Sequence, residues 1–216
     1  MVRPAACLFD LDGLLLDTEP FHAHAWKEAA RHFGLELADH QLRQLRGRRR
    51  HDCAAAVLGW LVDAGGPAID ATTLLGVRQP IAERLLASAP AMDGAPDLVR
   101  RCHQRGIPMA LATSSSREAV DLKARPHPWL ELIATRVHGD DPELAAGKPA
   151  PDVFLLAAAR LGVPPGECWA FEDSPAGARA AVDAGCRVHV LLPEGVARSL
   201  YPQGVECLQS LQEVEL

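Results

Sequence analysis

From residue 91 onward, short apolar runs alternate with helix-forming stretches, and no other feature of the chain limits its fold as tightly. Ile107 to Thr113 (IPMALAT), Leu132 to Val137, Cys168 to Phe171 and Arg187 to Leu192 (RVHVLL) read as strands. The helical stretches between them have legible ends. Asp173-Ser174-Pro175 supplies N-cap candidates with proline in the first turn, and Gly185 closes that segment. Pro151 opens Asp152 to Leu161, which Gly162 ends. Strand, helix, strand in succession implies parallel pairing through crossover helices, hence an α/β layered core.

One more strand, Ala5 to Phe9, lies far upstream and runs directly into Asp10-Leu11-Asp12-Gly13. Residues 20–88 differ in character: apolar positions recur at helical spacing, broken by Gly34, by Gly65-Gly66-Pro67 and by Pro80, with no strand pattern. They read as a helical insertion after the first strand, with Ala89-Pro90-Ala91 as the return hinge. At 216 residues, the chain suits one core with such an insertion.

In parallel sheets, ligands bind beyond the carboxyl ends of the strands, so polar residues there are the ones to weigh. The first strand ends in Asp10 and Asp12, another in Thr113-Ser114 and a third in Glu172-Asp173, while Lys148 precedes a helix in Gly147-Lys148-Pro149. Residues two apart on an extended strand share a face, and paired carboxylates repel unless they share a cation. Asp10, Asp12 and Asp173 would give the hard oxygen donors that suit Mg²⁺. A phosphate ester then fits, with Thr113, following backbone N–H groups and Lys148 on its oxygens. Taken alone, Asp10 and Asp12 serve equally well as caps of the turn at Gly13, and Lys148 as a surface lysine.

Only three of the 22 basic residues are lysines: Lys27, Lys123 and Lys148. A compact ammonium kept in an arginine-rich chain suits a point contact to phosphate. His22 and His24 lie about 200° apart on a helix and cannot share a ligand, although His22 is placed to face the mouth of a cleft. Trp26 and Phe33 read as core of the insertion. Arg46-Gly47-Arg48-Arg49-Arg50-His51 is either a solvated loop or a clamp for an anionic substrate, with Arg46, Arg48, Arg49 and Arg50 as its members.

Several classes drop out. The charge of −6 (22 basic, 28 acidic residues) leaves no overall basic footprint for nucleic acid. No apolar run approaches the roughly 18 residues of a membrane helix, and the stretch from Met1 to Cys7 holds no signal-peptide core. A soluble cytoplasmic chain is expected. The six cysteines (Cys7, Cys53, Cys102, Cys168, Cys186, Cys207) form no CxxC or Cys/His cluster, which argues against structural zinc and disulfides. P-loop, GxGxxG, GxSxG and HExxH patterns are absent.

The ordered set DLDGLLLDTE (Asp10–Glu19), LATSSS (Leu111–Ser116), GKPAPD (Gly147–Asp152) and FEDSPAG (Phe171–Gly177) is far more specific than any member. It resembles the haloacid dehalogenase-like hydrolase superfamily, in particular its β-phosphoglucomutase-like phosphatase branch. LATSSS-(x)4-DLKAR and GDDPEL-(x)2-GKPAPDVFL resemble pseudouridine 5′-phosphatases and glycerol-3-phosphatases. The resemblance implies a Rossmann-like parallel core over 1–15 and 91–216, with a helical cap over 16–90. It implies Asp10 as a nucleophile that becomes phosphorylated, and Asp12 as general acid/base and, through its main-chain carbonyl, a metal ligand. Thr113, Ser114 and Lys148 would bind phosphate. Asp10 and Asp173 would hold Mg²⁺ by their side chains, with Glu172 a ligand or a partner behind one. The superfamily's true dehalogenases lack an equivalent of Asp12.

The chain is therefore expected to be a Mg²⁺-dependent phosphatase of a small sugar, polyol or nucleoside phosphate, working as a monomer. His22, Arg46, Arg49 and Arg50 are its candidate cap contacts to substrate. A sugar-phosphate mutase and a catalytically quiet binding module are the alternatives.

Overall fold

The structure, a computed structural model, describes residues 3–216; Met1 and Val2, which open the expected core segment, lie outside the described residues. Six strands form one parallel sheet: β1 (Ala6–Phe9), β2 (Met109–Ala112), β3 (Thr135–Val137), β4 (Cys168–Glu172), β5 (Arg187–Leu191) and β6 (Glu206–Leu208). Their order is β3-β2-β1-β4-β5-β6. The chain builds outward from β1 to β3, then returns to the other side of β1 and builds outward again. The switch point between β1 and β4 is where parallel sheets open a crevice for ligands.

Alternate side chains feed two cores, so the central strands are apolar on both faces. Cys7, Phe9, Leu111 and Phe171 pack on α5 (Ala95–Gln104). Ala6, Leu8, Ala110 and Ala170 pack on α7 (Asp152–Leu161) and α8 (Pro175–Asp183), where small residues on sheet and helices allow close approach. A shorter helix, α6 (Arg117–Ala124), follows β2 and buries Val120 in the first core.

Helices α1 (Glu19–His32), α2 (Asp39–Leu45), α3 (Arg50–Asp63) and α4 (Ala71–Leu86) come between β1 and α5 and surround a core of their own around Trp26, Leu45, Val57, Leu61 and Leu74. The two chain crossings that join these helices to the sheet run side by side. The Asp17 N–H donates to the Pro90 carbonyl at 2.9 Å, and the Met92 N–H donates to that of Leu15 at 3.0 Å.

Three details depart from the sequence-based expectation. Pro80 does not end a helix: α4 runs through it. Leu74, Arg78, Ala82 and Leu86 form one buried stripe across the proline, and residue 76, against whose carbonyl the ring would press, is a glycine. Leu132 belongs to a 3₁₀ turn rather than a strand, because Leu130 and Ile133 bury in the core and Arg136 donates to both of their carbonyls. The edge strand β6 was not expected; at three residues it is too short to show a period.

The described residues contain no disulfide. Cys7, Cys53, Cys102 and Cys168 are buried, and Cys186 and Cys207 are partly so. No helix among them is long and apolar enough to cross a membrane.

Candidate active site

Loops beyond the carboxyl ends of β1, β2 and β4 meet at the switch point. Asp10 follows β1 directly and is 3% exposed. The chain then turns at Gly13 (φ +85°), where a Cβ would stand 2.2 Å from the Asp173 carboxylate. That turn therefore requires glycine twice over, for its backbone and for the closeness of Asp173. On the β4 side, Ser174 caps α8: its Oγ accepts from the Gly177 N–H at 3.0 Å and donates to Glu172 Oε2 at 3.0 Å. Tyr201, the chain's single tyrosine, donates its hydroxyl to the Asp173 carbonyl at 2.6 Å and ties this loop to the C-terminal segment.

Lys148 is fully buried. Its Nζ donates to Asp10 Oδ1 at 2.6 Å and to Glu172 Oε1 at 2.5 Å. Burial, with the neighbouring Glu172 and Asp12, pushes Asp10 up to about 7 against the pull of Lys148. Glu172 is fully engaged, because its Oε2 also accepts the N–H groups of Asp173 and Ser174. Asp173 differs: it is 1% exposed, and neither carboxylate oxygen accepts a hydrogen bond. Oxygens of Asp10, Glu172 and Asp173 lie within 4.8 Å of one another. Two buried, unsatisfied carboxylate oxygens beside Asp10 fit a hard divalent cation such as Mg²⁺. Asp10 and Asp173 would be its side-chain donors, while Glu172 holds Lys148 and the loop behind them.

Asp12 has a separate set of partners. Oδ1 accepts from the Thr18 hydroxyl at 2.7 Å and from His22 Nε2 at 3.2 Å; Oδ2 accepts from the Ser115 hydroxyl at 2.7 Å. Lys123 Nζ stands 2.6 Å from both oxygens. Burial would raise the Asp12 carboxyl, but Lys123 and His22 overcome it and hold the group well below the usual carboxylate range. Arg78 Nη2 donates to His22 Nδ1 at 2.7 Å. Since arginine has no acceptor, Nδ1 must be unprotonated and Nε2 carries the hydrogen toward Asp12. Burial lowers His22, in keeping with this neutral form. Arg78 itself lies 4.8 Å over the Trp26 ring.

The loop between α2 and α3 presses onto this rim. Gly47 (φ +74°) leaves no room for a Cβ, which would lie 2.1 Å from Ser174 Oγ, and its carbonyl accepts from the Ser114 hydroxyl at 2.9 Å. Arg46 Nη2 stands 2.9 Å from Asp173 Oδ2, and its Nε 3.2 Å from Glu19 Oε2. Arg49 lies against Gly147, with two buried guanidinium nitrogens lacking a partner. A cleft of about 430 Å³ between helices and sheet is lined by Asp10, Asp12, Arg49, Arg50, Arg78 and Thr113, among others.

Asp10, Asp12, Thr113, Ser114, Lys148, Glu172 and Asp173 thus lie on one rim, with His22 and Arg46 touching two of its carboxylates. Arg49 and Arg50 line the cleft without touching them. The sequence reading missed Lys123, Arg78 and Tyr201 as parts of this site. A basic residue on the apolar i, i+4 stripe of α4 marks Arg78, and the scarcity of lysine marks Lys123. Nothing in the sequence marks Tyr201.

Comparison with known proteins gives one consistent result. The haloacid dehalogenase-like hydrolase family, described as a hydrolase family, matches residues 4–185. A probable pseudouridine-5′-phosphatase of Drosophila melanogaster is 37% identical over 192 residues, 87% of this chain and 81% of that protein. The fructose-1-phosphate phosphatase YqaB of Escherichia coli is 33% identical over 85% of this chain and 94% of its own. The crystal structure of CbbY from Rhodobacter sphaeroides in complex with phosphate superposes with a TM-score of 0.82 at 28% identity, covering 98% of this chain and 96% of that one.

Proposed function

This chain belongs to the haloacid dehalogenase-like hydrolases, and from that premise we propose that it is a Mg²⁺-dependent phosphatase that cleaves a small-metabolite phosphomonoester through an aspartyl-phosphate on Asp10. The observation that carries the reading is the pairing of two carboxylates with two different environments. Asp10 shares Lys148 with Glu172 beside the unsatisfied oxygens of Asp173, whereas Asp12 is held by Lys123, Thr18, Ser115 and His22. One suits a nucleophile beside a metal, the other a proton-transfer group.

Asp10 Oδ2, the oxygen not taken by Lys148, attacks phosphorus; Asp12, a carboxylate in the free protein, takes up a proton as the phosphate dianion enters beside it and gives that proton to the departing alkoxide as the ester P–O bond breaks. Asp12, now a base, takes a proton from a water that attacks the acyl-phosphate. The bond to Asp10 breaks and inorganic phosphate leaves. Lys148, the Thr113 hydroxyl and the Ser114 N–H hold the non-bridging oxygens as charge moves. Asp10 and Asp173 would hold Mg²⁺, which would supply the positive charge that lets a dianion approach a carboxylate. The unpartnered nitrogens of Arg49, with Arg48 and Arg50 nearby, are donors for a polar or anionic part of the substrate remote from phosphorus.

The test is phosphate release from a panel of sugar, polyol and nucleoside phosphates, with Mg²⁺ and in excess EDTA. Release that requires Mg²⁺ supports the reading. Isomerisation of a sugar phosphate without matching phosphate release would make the chain a mutase, and full activity in EDTA would overturn the mechanism.

A further inference from the structure

The chain's two fully buried lysines both lie in this site and serve different aspartates. Lys148 belongs to Asp10. Lys123, on α6, has all three of its N–H donors engaged: two on the Asp12 carboxylate oxygens at 2.6 Å each, and one on Ser115 Oγ at 2.8 Å, which itself donates to Asp12 Oδ2 at 2.7 Å. The Asp12 carboxylate is thereby fixed from the segment before α1 through Thr18, from α1 through His22, from the β2–α6 loop through Ser115, and from α6 through Lys123. Its side chain keeps 14% exposure and lines the cleft. Burying an ammonium is costly unless it is paired and fully hydrogen-bonded, and here the pairing is complete.

We propose that Lys123 is a positioning residue that sets the rotation of the Asp12 carboxyl, so that one oxygen faces the leaving group when the ester bond breaks. The inference rests on the phosphatase reading above and adds a residue to it. Lys123 touches Asp12 and Ser115, not substrate, and acts only through Asp12. The turn after β1, bridged to Leu16, holds the backbone of Asp12, but a carboxylate can still turn about its own bond, and a two-oxygen contact from a buried ammonium removes that freedom. Proton delivery in a transition state depends on such placement.

The test uses leaving-group dependence. The full-length enzyme with Mg²⁺ is assayed for kcat/KM on phosphate esters from para-nitrophenyl to simple alkyl. Nitrophenolate needs little protonation, whereas an alkoxide needs a full proton. Lys123→Met is expected to lose less than about 10-fold on para-nitrophenyl phosphate and roughly 100-fold or more on alkyl esters, which steepens the dependence on leaving-group pKa. An equal loss across the series, or none, overturns the proposal.

Because Lys123→Met leaves Asp12 buried beside no cation, the neutral pair Asp12→Asn with Lys123→Met is made alongside Asp12→Asn alone. First-turnover release of nitrophenolate is then compared between the two. The proposal expects no further loss on adding Lys123→Met, since a residue acting through Asp12 has nothing left to orient. A further loss of 5-fold or more, on the order of 1 kcal/mol, would assign Lys123 a purely structural role and refute it. Wild-type enzyme that releases phosphate from no ester would sink the phosphatase reading; an active wild type with an additive cycle sinks only the role of Lys123.

Discussion

Asp10 and Asp12 differ by one intervening leucine, yet the fold gives them unlike surroundings, and substitution should separate them. Asp10→Asn keeps the shape of the side chain and removes the proposed nucleophile, so turnover should fall by more than about 1,000-fold while the thermal midpoint barely moves. Phosphate release and a melting curve on the same preparation check this. Arg46 places a guanidinium 2.9 Å from Asp173 Oδ2 without a well-directed hydrogen bond. It therefore competes with a metal for that carboxylate, and Arg46→Ala should tighten Mg²⁺ binding by about 5-fold, the scale of one partly exposed ion pair. Calorimetric titration reads this directly; weaker binding would mean that Arg46 helps to assemble the metal site. The acidic residues here were legible because strand ends in a parallel sheet are where polar groups stand out. Lys148 and Arg46 were legible too, from the Gly-Lys-Pro loop and the arginine cluster, but Lys123 and Arg78 were not. Lys123 lies 111 residues from Asp12, and Arg78 lies 56 from His22, and no local pattern encodes such pairings.

Among the elements, β5 carries a titratable group inside the sheet. His189 is 3% exposed, stacks on Phe171 at 5.0 Å between ring centres and meets the tilted ring of Trp169 at 4.6 Å. Burial drives it down to about 4 despite the pull of Glu206, so the folded state prefers the neutral ring. The stability this gives is complete above the ordinary histidine value of about 6.5 and is lost as pH falls from there toward 4, roughly 2 kcal/mol by pH 5. Urea midpoints at pH 7 and pH 5 should show the loss, and His189→Phe should flatten it. In α4, Pro80 forgoes a backbone hydrogen bond, so Pro80→Ala is expected to raise the thermal midpoint; a lower one would show that the proline acts mainly by restricting the unfolded chain. Elements with clear periods and caps, such as α7 and α8, could be read from residue order. The parts that could not are those decided by distant packing: the 3₁₀ turn at Pro128–Leu132, the continuity of α4 and the three residues of β6.

At the scale of the molecule, the sheet and the helical core around Trp26 face each other across a cleft, and the residues proposed for chemistry and for selectivity stand on different sides of it. The sheet contributes the carboxylates and Lys148, while the helices contribute His22, Arg46, Arg49 and Arg78. The paired crossings at Leu15–Asp17 and Pro90–Met92 have a consequence for how such a chain can be altered. Antiparallel neighbours lie about 5 Å apart, so the four helices leave and re-enter the sheet at nearly one point. That makes them a cassette: a tight turn between Leu16 and Ala91 could replace 74 residues without asking the sheet to stretch. A chain shortened in this way should still unfold in a single cooperative transition. If it did not, the helices would have to be counted as part of the sheet's own folding unit, and grafting a foreign insertion at the same junction would fail for the same reason.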